Sequence, residues 1–340
     1  MVRAVLSAIL SALPVLAAGI HPSPPSAPRP TQEDRPADLL VDRGEGALPL
    51  RIPGDEDLGY KIFLDLPVLG RSHVGSFRLR SKVEPYMGGL PLPGEDPSVR
   101  GRVGTIHGEV LGSYLSFRLD QEFVIRALPQ EWPAIVFRDI KRGASGRKRE
   151  LRYGLMDGEP TVWYRRDTHC KGCKRKEHFV EGGFFSRDHH CKKCKRTAHR
   201  VWKDPVTSAV PPGALDTLSA IFLSRSMARE GIDSVRFPLL KKSEVWELEM
   251  KRGRFRQVDV PAGAFQCREI KFLAVAALDG DSGKQFESLF GMEGVVHVWL
   301  EERSGVPIMI AGTMPLGAFD IEVTIELDSF AGTPPELIAR

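Results

Sequence analysis

The sequence predicts an α+β fold dominated by antiparallel β-structure, with one packed helix and a small cysteine-rich insert. Three observations carry that reading. Apolar residues recur with period two over most of residues 59–330, a single segment has helical periodicity, and four of the five cysteines form two Cys-x2-Cys pairs. The 340 residues include 33 Gly and 26 Pro, more than a helical bundle carries, and 42% of them are hydrophobic. Collagen-like, wholly disordered and disulfide-dense classes are excluded on those values.

The N-terminus reads MVRAVLSAILSALPVLAAG. A basic start is followed by an apolar run from Ala4 to Leu16 and then by small residues. That run is too short to cross a bilayer comfortably, and Ala17 and Ala18 fit a signal-peptidase site. Residues 1–18 are therefore expected to be a cleaved signal peptide, giving a periplasmic or secreted protein. The mature chain has no further stretch of membrane-spanning length. Residues 19–58 follow as a linker, with six Pro in HPSPPSAPRPTQEDRP (21–36) favouring extended polyproline geometry. The folded domain is expected over 59–330, and residues 331–340 form a tail.

Within that domain the clearest strand is Phe319 to Asp328, whose odd positions are all apolar and even positions all polar. Val296, Val298 and Leu300 alternate in the same way, as do Trp246, Leu248 and Met250, and Val306 to Ala311 is a further apolar strand. Turns at Pro261-Ala262-Gly263 and at Gly291 to Gly294 separate them, as in an antiparallel meander. The helix is Asp216 to Ala228. Asp216 is placed to cap it, Leu218, Ile221 and Phe222 form an i, i+3, i+4 stripe, and Gly231 ends it. Its stripe is expected to lie on the apolar face of the sheet.

Residues 165–203 form the insert. Cys170-x2-Cys173 and Cys191-x2-Cys194 are spaced as in a four-thiolate zinc ribbon, in which two turns present four sulfurs to one ion at about 2.3 Å. The segment also repeats at an offset of 21: His169, Cys170, Cys173, Lys174, Arg175 and His178 recur as His190, Cys191, Cys194, Lys195, Arg196 and His199. In an oxidising compartment the same cysteines could instead make two disulfides, or a redox pair. Cys267 sits alone in a strand and reads as an inert buried thiol.

The formal charge of +4 conceals an asymmetry. The insert holds 13 Lys and Arg against 4 Asp and Glu, hence +9, which leaves −5 on the rest of the chain. Cations around thiolates favour deprotonated sulfur. The sharper alternative makes Lys174, Arg175, Lys192, Lys193, Lys195 and Arg196 an anion-binding patch for an anionic envelope component or polymer. Nucleic acid is not expected as a partner of an exported chain.

Catalytic motifs are missing: there is no His-Glu-x2-His, no phosphate loop and no dinucleotide fingerprint. Gly280-Asp281-Ser282-Gly283 matches a serine-protease string but lies where Gly, Asp and Ser make an ordinary turn. No catalytic residue is assigned, and zinc, one structural ion, is the only cofactor expected.

Asp216 to Arg225, Val260 to Phe265, Val298-Trp299-Leu300-Glu301, Val306-Pro307-Ile308 and the strand after Gly317 together resemble the bacterial domain of unknown function 3108 family. The resemblance spans about Tyr60 to Phe330 and is weak before residue 200. It implies an exported protein with a curved antiparallel sheet or partial barrel, a helix on its concave side, similar to lipoprotein-carrier folds. It implies no activity. At the position of the Cys/His insert the family has a plain hairpin. The expectation is thus a non-enzymatic protein binding a lipid or other hydrophobic ligand, or an interaction module working through the basic ribbon.

Overall fold

The computed structural model describes residues 52–66, 70–85, 102–114, 117–127, 134–142, 146–157, 159–169, 200–241, 243–278, 286, 289–316 and 319–332. The expected signal peptide, most of the linker, the cysteine segment 170–199 and the Gly280–Gly283 turn lie outside the described residues.

Among the described residues, nine strands precede the helix: β1 (Asp55–Leu66), β2 (Gly70–Pro85), β3 (Arg102–Tyr114), β4 (Phe117–Ala127), β5 (Ala134–Lys141), β6 (Arg147–Met156), β7 (Glu159–His169), β8 (Arg200–Trp202) and β9 (Val206–Ala209). The helix α1 (Thr217–Glu230) is followed by β10 (Ser234–Lys241), β11 (Glu244–Val260), β12 (Gly263–Ala277), β13 (Glu293–Glu301), β14 (Pro307–Leu316) and β15 (Phe319–Gly332). They form one sheet in the order β10 to β15, then β1 to β8, with β9 alongside β7. Every named pair is antiparallel, and the first strand pairs with the last, Tyr60 lying opposite Leu327.

The meander therefore has two edges, and one short stretch of chain touches both. Ala209 lies opposite Thr161 on β7, and the Val210 N–H donates to the Pro160 carbonyl at 3.0 Å. Five residues later the Leu215 N–H donates to Pro238 of β10 at 2.8 Å, and Leu240 donates back to Leu215 at 2.7 Å. The sheet thus curls until a single segment, 206–215, bridges its ends. Closing a sheet in this way satisfies edge N–H and C=O groups that would otherwise be open to pairing.

The two longest strands, β11 and β12, need a bend. Their register shifts between Arg252 and Phe255, an irregularity that kinks a ladder. The hairpin tip then reaches β15: the Ala262 N–H donates to Leu327 at 3.0 Å, and the Phe265 and Phe330 rings meet edge-on at 6.5 Å.

The helix starts and stops where the sequence places it. Asp216 accepts hydrogen bonds from the Leu218 and Ser219 N–H groups, both at 3.0 Å. Gly231 takes the left-handed conformation (φ 71°) after the last turn, which a residue without Cβ adopts readily. The one-sided stripe needs correction, because every residue from Leu218 to Met227 is buried. A flat sheet covers one helix face; a curled one surrounds the helix. Its serines are small enough for that enclosure and find local partners, Ser219 Oγ on Asp216 and Ser224 Oγ on the Ile221 carbonyl, each at 2.6 Å.

Candidate functional site

Alternation along the strands assigns two faces to the curled sheet. On β6, Leu151 and Tyr153 point to the helix side, while Glu150 and Arg152 point away. The inward face is the core: Leu58, Leu79, Ile106, Ile125, Phe237 and Ile270 are all fully enclosed. Gly108 lets α1 approach β3, since a Cβ there would sit 3.3 Å from Phe77, 3.5 Å from Phe123 and 3.7 Å from Leu218.

A charged pair joins α1 to the wall of this interior. Arg225 of α1 and Glu56 of β1 form a two-pronged ion pair, 2.8 Å and 3.0 Å, with side-chain exposures of 8% and 1%. Beside it the Tyr60 hydroxyl donates to the Pro307 carbonyl at 2.9 Å, and burial pushes its pKa upward, helped by the Glu56 charge. At the other end of α1, burial raises the Asp216 carboxyl against the opposing hydrogen bonds from Ser219 and Leu218. Arg225 thus ties the helix to β1, while Asp216 caps the helix's own first turn.

The outward face is different. Cross-strand ion pairs run around it, Arg236 to Glu249, Lys61 to Asp328, Arg78 to Asp57, and Arg138 to Glu150, with a hydrogen bond between His297 and Glu269 among them. Glu150 is nearly enclosed beneath Arg138, Arg152 and Arg165, at 2.7, 2.8 and 2.6 Å. Burial raises its pKa, but the hydrogen bonds from Arg152 and Arg138 prevail and hold it below the usual carboxylate range. A lipid-facing barrel needs an apolar outward band, so this face does not suit a bilayer interior. No helix among the described residues is long and apolar enough to cross a membrane.

The four predicted zinc ligands, Cys170, Cys173, Cys191 and Cys194, lie outside the described residues. So do Lys174, Arg175, Lys192, Lys193, Lys195 and Arg196. What the described residues do include is their stem. Strands β7 and β8 pair Asp167 with Trp202, Thr168 with Val201 and His169 with Arg200, so the segment leaves and re-enters the domain on adjacent strands. Trp202 is exposed, with the Arg165 guanidinium 4.4 Å over its ring. Among the described residues no cluster of three or more His, Cys, Asp or Glu could hold a metal ion. Cys267 is fully buried in β12; burial, then the Glu301 charge, pushes its thiol up to about 12, which makes it inert.

Sequence patterning alone missed Glu56 and Arg225. Each is a lone charge in an otherwise readable element, and the only signal was that Arg225 falls among residues of the helical core, at i+3 from Phe222 and i+4 from Ile221. Charges at such positions are buried in pairs or not at all.

Comparison with known proteins gives families without an assigned activity. Residues 188–324 match the family described as "Protein of unknown function (DUF3108)". The chain is similar to the crystal structure of a β-barrel-like protein of domain of unknown function DUF1849 from Brucella abortus. There the identity is 12% and the TM-score 0.43, over 84% of this chain and 100% of that one. No curated protein matches the chain.

Proposed function

We propose that this chain is an exported, non-enzymatic binding protein that takes a hydrophobic, envelope-derived ligand against the inward face of its curled sheet. The observation that carries the reading is the enclosed helix. A largely apolar surface surrounds α1, and the helix adds Ser219, Ser224, Ser226 and Arg225 to its own buried apolar residues. α1 fills this interior with ten buried residues, so a ligand on the inward face takes the place of the helix and covers the surface the helix now covers. The test is uptake of a fluorescent fatty acid by delipidated protein. Saturable uptake, displaced by unlabelled lipid, is expected; protein that takes up no acyl probe at any concentration refutes the reading.

The insert is assigned a structural zinc ion held by Cys170, Cys173, Cys191 and Cys194. The paired stem of β7 and β8 supports this, because it holds the two ends of the repeat side by side. A closed four-thiolate site stabilises a small loop without an open position for chemistry. Lys174, Arg175, Lys192, Lys193, Lys195 and Arg196 would then present a basic knob to an anionic envelope component, with the β-domain as scaffold. Mature protein is expected to contain one zinc and four thiols released by chelator; two disulfides and no metal would exclude the ribbon.

A further inference from the structure

On β4 to β7 the inward face changes character along the strands. One row across the ladder is apolar: Ile125 lies opposite Phe137, Phe137 opposite Leu151, and Leu151 opposite Tyr164. The next row on the same face reads Phe123, Asp139, Arg149 and Arg166, and the row beyond it Gln121, Lys141 and Arg147. Four cations therefore share one end of the inward face with one carboxylate, Asp139, among the described residues of these strands.

Their placement is unusual because like charges oppose each other directly. Arg149 faces Arg166, and Lys141 faces Arg147, whereas directly opposite like charges weaken a strand pair. The reverse side of the same strands does the ordinary thing, with Glu150 set between Arg138 and Arg165. Asp139 is almost enclosed, accepts from the Gln121 amide at 2.7 Å, and lies 3.3 Å from Arg147 and 3.8 Å from Arg149. It is one carboxylate against the three arginines. The Arg147 Nε is shielded from solvent and donates to no described acceptor. Burial, then the Arg147 charge, holds Arg149 below its usual range. Arg166 is exposed, so the cluster opens to solvent.

We infer that Arg147, Arg149 and Arg166 form a binding site for a phosphomonoester group, carried by an amphiphile whose apolar part lies toward Phe123 and Phe137. Guanidinium forks match the paired oxygens of a phosphate. Among the described residues, Arg147, Arg149 and Arg166 against Asp139 keep a surplus of two positive charges, which a phosphomonoester at about −1.5 to −2 offsets better than a carboxylate can. Phe123 and Phe137, with ring centroids 6.3 Å apart, border the cluster on its apolar side. The placement of the tail rests on the hydrophobic-ligand reading above; the phosphate site does not.

The test is calorimetric titration of the intact protein with dihexanoyl phosphatidic acid, dihexanoyl phosphatidylcholine and inorganic phosphate, all below micelle formation. Phosphatidic acid is expected to bind at least about tenfold more tightly than phosphatidylcholine. That preference should collapse in Arg149→Gln/Arg166→Gln, and persist in Arg229→Gln on the exposed end of α1. The double variant relieves a like-charge pair, so its melting temperature should not fall, which separates lost binding from lost folding. Inorganic phosphate binding as tightly as phosphatidic acid would keep the site and assign it to free phosphate. Equal binding of the two lipids, or a preference that survives the double variant, overturns the inference. Uptake of neutral phenylnaphthylamine, measured alongside, reports the apolar reading separately from the phosphate site.

Discussion

Arg225→Met is expected to lower unfolding stability by about 3–5 kcal/mol, the cost of stranding one partner of a buried ion pair. The side chain removed is the smaller part of the effect. Glu56 stays on β1, fully enclosed and facing inward opposite Ser81, with its two-pronged partner gone. A carboxylate left in such a site must find water or a proton, and either requires the wall near α1 to open. The companion variant Glu56→Leu/Arg225→Met removes both charges and should recover most of the loss, since apolar replacement of a whole buried pair is often neutral or better. Denaturant titration of wild type, single and double variants checks this directly. A single variant no less stable than the double would mean that the pair carries no such penalty. The same variants bear on binding. If α1 is the element a ligand displaces, Arg225→Met loosens its seat and should raise acyl-probe uptake while stability falls, two changes of opposite sign that general damage would not produce.

How far this architecture was legible in the sequence follows from what each element buries. Strict alternation of apolar and polar residues advertises a strand, so β11, β13 and β15 were readable from Trp246, Val296 and Ile321 onward, although Glu247 and Glu249 on β11 are themselves buried. The caps of α1 were readable because Asp216 and Gly231 act within a single turn of chain. Closure was not readable. It depends on hydrogen bonds from Val210 and Leu215 to strands β7 and β10, and backbone pairing leaves no mark in side-chain periodicity. The full burial of the helix was not readable for the same reason, since a three-residue stripe specifies one buried face and says nothing about a sheet that returns on the other side. The arginine cluster was invisible because its meaning lies in register. Arg147, Arg149 and Arg166 look like solvated charges until β6 and β7 are paired. The cysteine spacing stood out in the sequence, and the paired β7/β8 stem gives that segment a fixed point of attachment.

Leu215→Ala is expected to be the most costly single truncation at the point where the sheet closes, at about 2–5 kcal/mol. Leu215 is fully buried, and its backbone is the link between the end of the β9 segment and β10. Truncation keeps both backbone hydrogen bonds possible and removes only the packing that shields them. The loss should therefore appear as faster exchange of the Leu215 and Leu240 amides than global unfolding alone predicts. Val206→Ala supplies the contrast. Val206 lies on the same segment but is 56% exposed, so its truncation should change stability by no more than about 0.5 kcal/mol. A sheet whose edges were simply adjacent, without depending on this link, would show the stability loss of any buried leucine while exchange at Leu215 and Leu240 stayed global. Local opening at those two amides, with β7 protected as before, would place the weak point of closure on the β10 side. That is the side from which α1 departs, and the side on which a helix leaving its seat would first have to release the wall.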